Sequence, residues 1–131
     1  MERSVPARDR RPDFGLLMQH STPPPTVDDQ KRFNRLKEIG CIACRAWGFH
    51  SHGEIHHLLS GNKRRGHDAT IILCSWHHRG VSDQQRDAKR MAIILGPSLA
   101  RESKRFHEQF GTDDELLAKV NELIAARENL A

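Results

Sequence analysis

The sequence predicts a small α+β protein, because two short runs of β character lie between segments with helical periodicity. The runs "GEIHHLLSG" and "ATIILC" are apolar and β-branched or alternating, and the glycine-rich, basic stretch "SGNKRRGHD" separates them. This order predicts a β-hairpin with a long basic loop. The chain has 131 residues, which fits one domain, and 37% of them are hydrophobic. A core this thin commonly needs a metal or a disulfide to supplement burial.

The N-terminal residues 1–27 are predicted to form a disordered, basic and proline-rich arm. They include "TPPPT" and show no sustained periodicity. The cluster "ARDRRP" is either a solvated tail or an arm that touches phosphates. A helix is predicted over 28–40, where Asp28 caps the start, Phe33, Leu36 and Ile39 share one face, and Gly40 ends the helix.

Helices are also predicted at the C-terminal side, over residues 81–131. "CSWHHRG" can open a helix, and "SDQQRDAKRMAIILG" is expected to be helical for most of its length, with Ser82 as its cap. "PSLARESKRFHEQFG" is expected to begin at Pro97 and end at Gly111. The last helix has a capping box of Thr112 and Glu115. Its apolar stripe serves either packing or a partner helix and consists of Leu116, Val120, Leu123 and Ile124.

The charge distribution favours a polyanionic partner. The net charge is +4, and residues 1–111 are basic whereas residues 112–131 are acidic. Nucleic acid is the first such partner to consider, although +4 is also ordinary for a soluble protein. The N-terminus lacks the apolar run of a signal peptide, and no stretch is long enough to span a membrane. We therefore expect a reducing compartment, where a Cys-x-x-Cys is more often a metal or redox motif than a disulfide.

Cysteine and histidine are concentrated in residues 41–79, which hold all three cysteines and seven of the nine histidines. Two pairs have the same spacing, Cys41-x-x-Cys44 and Cys74-x-x-His77. Structural zinc is usually held by two such short-spaced pairs in a tetrahedron. The alternatives are a redox Cys-x-x-Cys, which lacks its usual βαβ context here, and buried free cysteines. We predict one structural zinc that ties the start of this segment to its end.

Two pairs of neighbouring histidines, His56-His57 and His77-His78, point to a second site. Adjacent side chains diverge on a strand or a helix, so neighbours cannot easily bind one metal. Each pair is therefore expected to serve two functions, with His77 on the zinc and His78 facing elsewhere. A metal between His56 and His78, with His57 beside it as a neutral base, is a phosphodiesterase arrangement.

The order of these motifs resembles the HNH endonucleases. It runs from Cys-x-x-Cys to a His-His pair at a strand end, a basic loop and "LCxxHH". The resemblance implies a zinc-supported ββα-metal core over 41–80, flanked by N- and C-terminal helices in a nuclease domain over 28–131. It also implies that His57 is the general base. His56 and His78 would bind a catalytic divalent cation, magnesium or manganese in solution, or zinc in crystals.

The stretch "HHLLSGNKRRGHDATIILCSWHHRG", with the later "RFHEQFG", resembles more narrowly the phage Ref-like, RecA-dependent recombination-enhancement nucleases. That resemblance implies a metal-dependent DNA endonuclease acting on single-stranded or RecA-paired DNA, with the RecA filament as a partner. It also implies a phage- or prophage-encoded protein in the bacterial cytoplasm.

One departure from the HNH pattern concerns its middle residue, which is normally Asn. No Asn stands in "RGHDATIILC", where the nearest candidates are His67 and Asp68. Either residue binds the metal or orients His57, or His67 is a loop residue that contacts phosphate. The family usually has Cys where His77 stands, and this replacement keeps a legitimate zinc ligand.

Basic residues between the two strands are expected to contact the DNA backbone, namely Lys63, Arg64 and Arg65. Such contacts bind phosphates without reading sequence. Arg79 follows the last histidine and is expected to stabilise the scissile phosphate. Two other functions stay open at this point. A non-catalytic zinc module that binds DNA or a recombination protein would keep the zinc ligands without needing His57, and an interaction domain would carry its histidines on the surface.

Overall fold

The structure, a computed structural model, describes residues 23–130 and shows six helices and two small antiparallel sheets within that range. The α+β prediction is confirmed. Most of the predicted arm, residues 1–22, lies outside the described residues. The elements in chain order are α1 (Val27–Ile39), α2 (Ile42–Ala46), β1 (Glu54–His57), β2 (Leu59–Ser60), β3 (Lys63–Arg64), β4 (Thr70–Leu73), α3 (Ser75–Arg79), α4 (Ala88–Leu95), α5 (Ser103–Phe110) and α6 (Asp113–Leu130).

Helix α1 is capped by Thr26, and not by the predicted cap Asp28. The hydroxyl of Thr26 accepts from the amide of Asp29, and the Asp29 carboxylate accepts from the amide of Thr26. This reciprocal capping box gives hydrogen-bond acceptors to two backbone amides, which a single cap at Asp28 would leave without an acceptor. The predicted end at Gly40 is confirmed, with φ of 77°. The predicted apolar face is also confirmed, because Phe33, Leu36 and Ile39 are buried.

The predicted hairpin is confirmed by the antiparallel pairing of β1 with β4, which opposes Glu54 to Leu73 and His57 to Thr70. The basic loop between them has a structure that the sequence analysis did not predict. It folds into a second, exposed hairpin in which β2 pairs with β3. Gly61 turns this hairpin with a φ of 66°, a conformation that glycine adopts without strain.

Helix α4 is shorter than the sequence predicted, because it starts at the cap Asp87 and not at Ser82. The preceding residues form a turn in which the Asp83 carboxylate accepts from the amides of Gln85 and Arg86. This local bond competes with the helix, as short acidic side chains often do. The Asp87 side chain then accepts from the amide of Arg90 and opens the helix.

Helix α5 starts at Ser103, later than the predicted start at Pro97. The residues between them form a turn, in which the hydroxyl of Ser98 accepts from the amide of Arg101. The predicted end of α5 at Gly111 is confirmed. The capping box of α6 is also confirmed, by reciprocal bonds between Thr112 and Glu115.

One hydrophobic core joins α1, the β1–β4 hairpin and the C-terminal helices. Leu36, Leu58, Ile72, Phe106 and Val120 are fully buried in it. Leu116 and Val120 pack into this core. Of the two predicted uses of the apolar stripe of α6, packing or a partner helix, the structure therefore shows packing. Among the described residues, no helix is long and apolar enough to cross a membrane.

Truncating Phe106 should test how much of the fold this core stabilises. Its ring lies 5.0 Å from that of Phe110 and 6.3 Å from that of His77, between centroids. We expect Phe106→Ala to lower the free energy of unfolding by about 3–5 kcal/mol in urea denaturation, through lost burial and a residual cavity. Ile93→Ala is the control, since Ile93 is 72% exposed. Equal stability of the two variants would contradict this assignment of the core.

Candidate metal centre and histidine site

Two short helices carry the four predicted zinc ligands. Cys41 is the N-cap of α2 and Cys74 is the N-cap of α3, and each sulfur accepts from the amide three residues later, at Cys44 and His77. In each helix, the first turn therefore carries both members of one pair. All four side chains are nine-tenths or more buried, so their ligand atoms converge away from solvent.

The spacing of these ligand atoms fits zinc. The sulfurs of Cys44 and Cys74 are 3.8 Å apart, and Nδ1 of His77 lies 3.5, 3.5 and 3.2 Å from the sulfurs of Cys41, Cys44 and Cys74. A zinc tetrahedron with bonds of about 2.3 Å to sulfur and about 2.0 Å to nitrogen has edges of about 3.8 and about 3.5 Å. Cys41, Cys44, Cys74 and His77 thus form a possible zinc-binding site.

Electrostatics and the surrounding hydrogen bonds support the same assignment. Hydrogen bonding with Cys44 and Cys74 raises the pKa of the Cys41 thiol well above its usual range, because sulfurs this close do not all ionise without a balancing cation. Nε2 of His77 lies 2.8 Å from the carbonyl oxygen of Leu95. A carbonyl only accepts, so Nε2 carries a proton and Nδ1 is the nitrogen that is placed to bind a metal beside the sulfurs.

Strand β1 and helix α3 bring His56 and His78 together, as the sequence predicted. Nδ1 of His56 lies 3.2 Å from Nε2 of His78. Neighbouring ligands of an octahedral cation with bonds of about 2.1 Å are separated by about 3.0 Å, so this pair is spaced to share one ion. Burial, and then the nearby His78, lower the pKa of His56 to about 4. His56 is therefore neutral at pH 7, which is the form that binds metals.

Glu54 is a site residue that the sequence analysis missed. Its carboxylate lies 2.8 Å from Nδ1 of His78. A carboxylate accepts, so Nδ1 carries the proton and the Nε2 lone pair faces His56. The available signal was strand periodicity, because Glu54 and His56 are two residues apart in β1 and share a face.

Arg79 forms a two-pronged ion pair with Glu54. Its Nε and Nη2 lie 2.9 and 2.6 Å from the two carboxylate oxygens. These bonds from Arg79 are the main reason that the pKa of Glu54 lies below its usual value. The contact of Arg79 with a scissile phosphate stays a prediction, and the arginine is more than half exposed in this geometry.

The second histidine of β1, His57, pairs with His67 and not with His78. Its Nε2 lies 3.0 Å from Nδ1 of His67, and Nε2 of His67 contacts the carbonyl oxygen of Pro23. That carbonyl only accepts, so neutral His67 carries its proton on Nε2, and its Nδ1 then accepts from Nε2 of His57. Within residues 23–130, no group is hydrogen-bonded to Nδ1 of His57, which leaves the lone pair there open. Burial, then Arg64 and His67, lower its pKa, which favours the neutral base.

The remaining predicted residues lie around these pairs. Asp68 is exposed and makes no hydrogen bond to either histidine pair within residues 23–130, whereas its neighbour His67 does. Lys63 and Arg64 are exposed on β3. Arg65 is held by an ion pair of 2.7 Å with Asp114 at the start of α6.

The number of potential ligands distinguishes the cysteine and histidine group from the His56–His78 pair. Within residues 23–130, Cys41, Cys44, Cys74 and His77 are the one group of at least three Cys, His, Asp or Glu side chains close enough to share an ion. His56 and His78 provide two nitrogens, and a cation there has to complete its coordination with water or substrate oxygens.

The neighbouring residues His77 and His78 allow a matched test of the zinc site. We expect about one zinc per chain after dialysis of the wild type, as one tight site requires. His77→Ala should lose most of this zinc and unfold at lower temperature, because it removes a ligand. His78→Ala should keep it, because Nε2 of His78 faces His56. Metal analysis and thermal denaturation check both, and equal zinc content in the two variants would count against the assignment.

One comparison with known proteins identifies a family. A family model described as recombination enhancement, RecA-dependent nuclease, matches residues 25–125. The match runs from the start of α1 into α6 and includes the four cysteine and histidine ligands and both histidine pairs. The comparison with curated proteins gave no match. Since the family model spans most of the chain, this protein belongs to the recombination-enhancement, RecA-dependent nucleases.

Proposed function

We propose that this nuclease is a metal-dependent DNA endonuclease of the HNH type. The observation that carries the proposal is the division of His56 and His57 between two partners. Nδ1 of His56 lies 3.2 Å from Nε2 of His78, while Nε2 of His57 lies 3.0 Å from His67. One histidine is thus spaced for a shared cation, and its neighbour keeps a free lone pair beside it. The order of β1, β4 and α3 around these residues supports a ββα-metal core.

His56 and His78 would hold the divalent cation, magnesium or manganese. When bound, this ion stabilises negative charge on the scissile phosphate and on the leaving 3′-oxygen. Glu54 keeps the lone pair of His78 directed at His56, through its 2.8 Å contact with Nδ1. Two nitrogen ligands leave the other coordination positions of the cation to water and phosphate oxygens. Magnesium usually keeps several water ligands, so it does not need a complete set of protein ligands.

His57 is the general base in this proposal. Its Nδ1 takes a proton from a water molecule, and the water oxygen attacks phosphorus in line with the leaving 3′-oxygen. The bond from phosphorus to that oxygen breaks, which leaves a 5′-phosphate and, after protonation by solvent, a 3′-hydroxyl. The developing imidazolium is stabilised by His67, since Nδ1 of His67 accepts from Nε2 of His57.

The exposed β2–β3 hairpin is the proposed contact with the DNA backbone. Lys63 and Arg64 project from β3 on the strand connection that follows His57. Their charges attract phosphates without regard to sequence, so binding should weaken with salt. Arg65, bound to Asp114, contributes less unless that pair opens. We infer from the family description that the substrate is single-stranded or RecA-paired DNA and that the RecA filament is the partner.

Structural zinc has a positioning function in the same proposal. His77 is a ligand and His78 is the next residue of α3, so a zinc held by Cys41, Cys44, Cys74 and His77 fixes the helix that presents His78. A site of this kind cuts one strand per event, and a double-strand break requires a second event.

Replacement of His57 tests the nuclease mechanism. We expect His57→Ala to lower the rate of DNA cleavage by about 10²–10⁴-fold, the usual contribution of a general base. The assay uses supercoiled and single-stranded DNA, with and without magnesium and RecA filaments. His52→Ala is the matched control, because the His52 ring contacts His50 and is exposed. Equal cleavage by wild type and His57→Ala would contradict the mechanism. DNA binding without cleavage under every condition would favour a non-catalytic zinc module.

A further inference from the structure

Helix α1 reaches the histidine site through the side chain of Arg32. Nε of Arg32 donates to the hydroxyl of Thr70 at 2.9 Å, and Nη2 donates to the carbonyl of Thr70 at 2.6 Å. Nη1 donates to Asn121 at 2.8 Å. One guanidinium thus joins α1, β4 and α6. These partners are neutral, although burial of the cation costs free energy and lowers the pKa of Arg32. Such a costly contact is expected where orientation matters.

Thr70 transmits this contact to the turn that carries His67. Its hydroxyl donates to the carbonyl oxygen of His67 at 2.8 Å. Arg32 only donates and the carbonyl only accepts, so the direction of both bonds is fixed. Thr70 is fully buried and stands opposite His57 in the β1–β4 pairing. The hydroxyl therefore ties the His67 turn to the strand position that faces His57.

Two further contacts from the same part of the chain fix the His67 ring. The ring of Phe33 meets His67 and His57 edge-on, with centroids 5.6 and 6.2 Å apart. The carbonyl of Pro23, just before α1, accepts from Nε2 of His67. The segment that runs from Pro23 to Phe33 thus holds the His67 ring directly, and it reaches the His67 backbone through the contact of Arg32 with Thr70.

We propose that Arg32 is a positioning residue for His57, acting through Thr70 and His67. It holds the His67 turn where Nδ1 of His67 accepts from Nε2 of His57, and so keeps the lone pair of His57 Nδ1 free for water. Helix α1 is then part of the active site and not only a flanking helix. The inference rests on the proposed function of His57.

The kinetic test uses Arg32→Lys and Thr70→Val. Lysine keeps the charge of Arg32 but lacks the planar guanidinium with its several N–H donors. Valine keeps the shape of threonine but lacks the hydroxyl. We expect both variants to lower the single-turnover cleavage rate at saturating DNA by roughly 10–100-fold, as loss of an orienting contact does. The dissociation constant for DNA and the zinc content should not change.

Two controls match these variants. Arg35→Lys alters an arginine of the same helix that pairs with Glu38 on the surface, and Thr70→Ser keeps the hydroxyl. Both should cut at the wild-type rate. Weaker DNA binding with an unchanged rate would mean that Arg32 contacts DNA, and unchanged rates in both test variants would also overturn the proposal. If Arg32→Lys fails to fold, Thr70→Val decides.

A second measurement does not depend on cleavage. Nitrogen NMR of the zinc-loaded protein reports which ring nitrogen of His57 is protonated. We expect the Nε2-protonated form in the wild type and Thr70→Ser, and a mixture of forms in Arg32→Lys and Thr70→Val. An unchanged tautomer in both test variants would overturn the positioning function. If the wild type does not cut DNA at all, the proposed function fails, and the tautomer still tests the contact of Arg32.

Discussion

The convergence of three sulfurs and one imidazole nitrogen joins the two short helices that flank the central hairpin. Cys41 and Cys44 belong to the N-cap and first turn of α2, which precedes β1. Cys74 and His77 belong to the N-cap and first turn of α3, which follows β4. The ligand atoms lie within 4.8 Å of one another. A zinc bound there links the two ends of the hairpin and supplements a thin core. It also fixes the short helix that carries His78.

Neighbouring histidines in the sequence point to different groups in the fold. His77 and His78 diverge from one short helix, and His56 and His57 diverge from one strand, so each pair contributes to two different groups. Two groups that only accept hydrogen bonds determine which ring nitrogen carries the proton. The Glu54 carboxylate accepts from Nδ1 of His78, and the Pro23 carbonyl accepts from Nε2 of His67. The result is one histidine pair spaced for a cation and one histidine whose second nitrogen has no hydrogen-bond partner in the described part of the chain.

Local signals in the sequence sufficed for much of this architecture, whereas contacts between distant residues did not follow from them. The four residues of the possible zinc site and the capping box at Thr112 were predictable because each rests on a short-range spacing in the sequence. The start of α4 was not, since the Asp83 turn competes with the helix. The Arg32 contact joins residues 38 positions apart, and no local pattern marks it. His67 was a candidate from sequence, but its partner Pro23 could be found only in the fold.

We propose that the chain holds two separate metal sites with different functions. The most direct test is a crystal structure of the zinc-loaded protein soaked in manganese, with anomalous diffraction measured on both sides of the manganese and zinc absorption edges. We expect zinc among Cys41, Cys44, Cys74 and His77, and manganese between Nδ1 of His56 and Nε2 of His78. Manganese only among the cysteines, or no ion between the two histidines at saturating manganese, would contradict it.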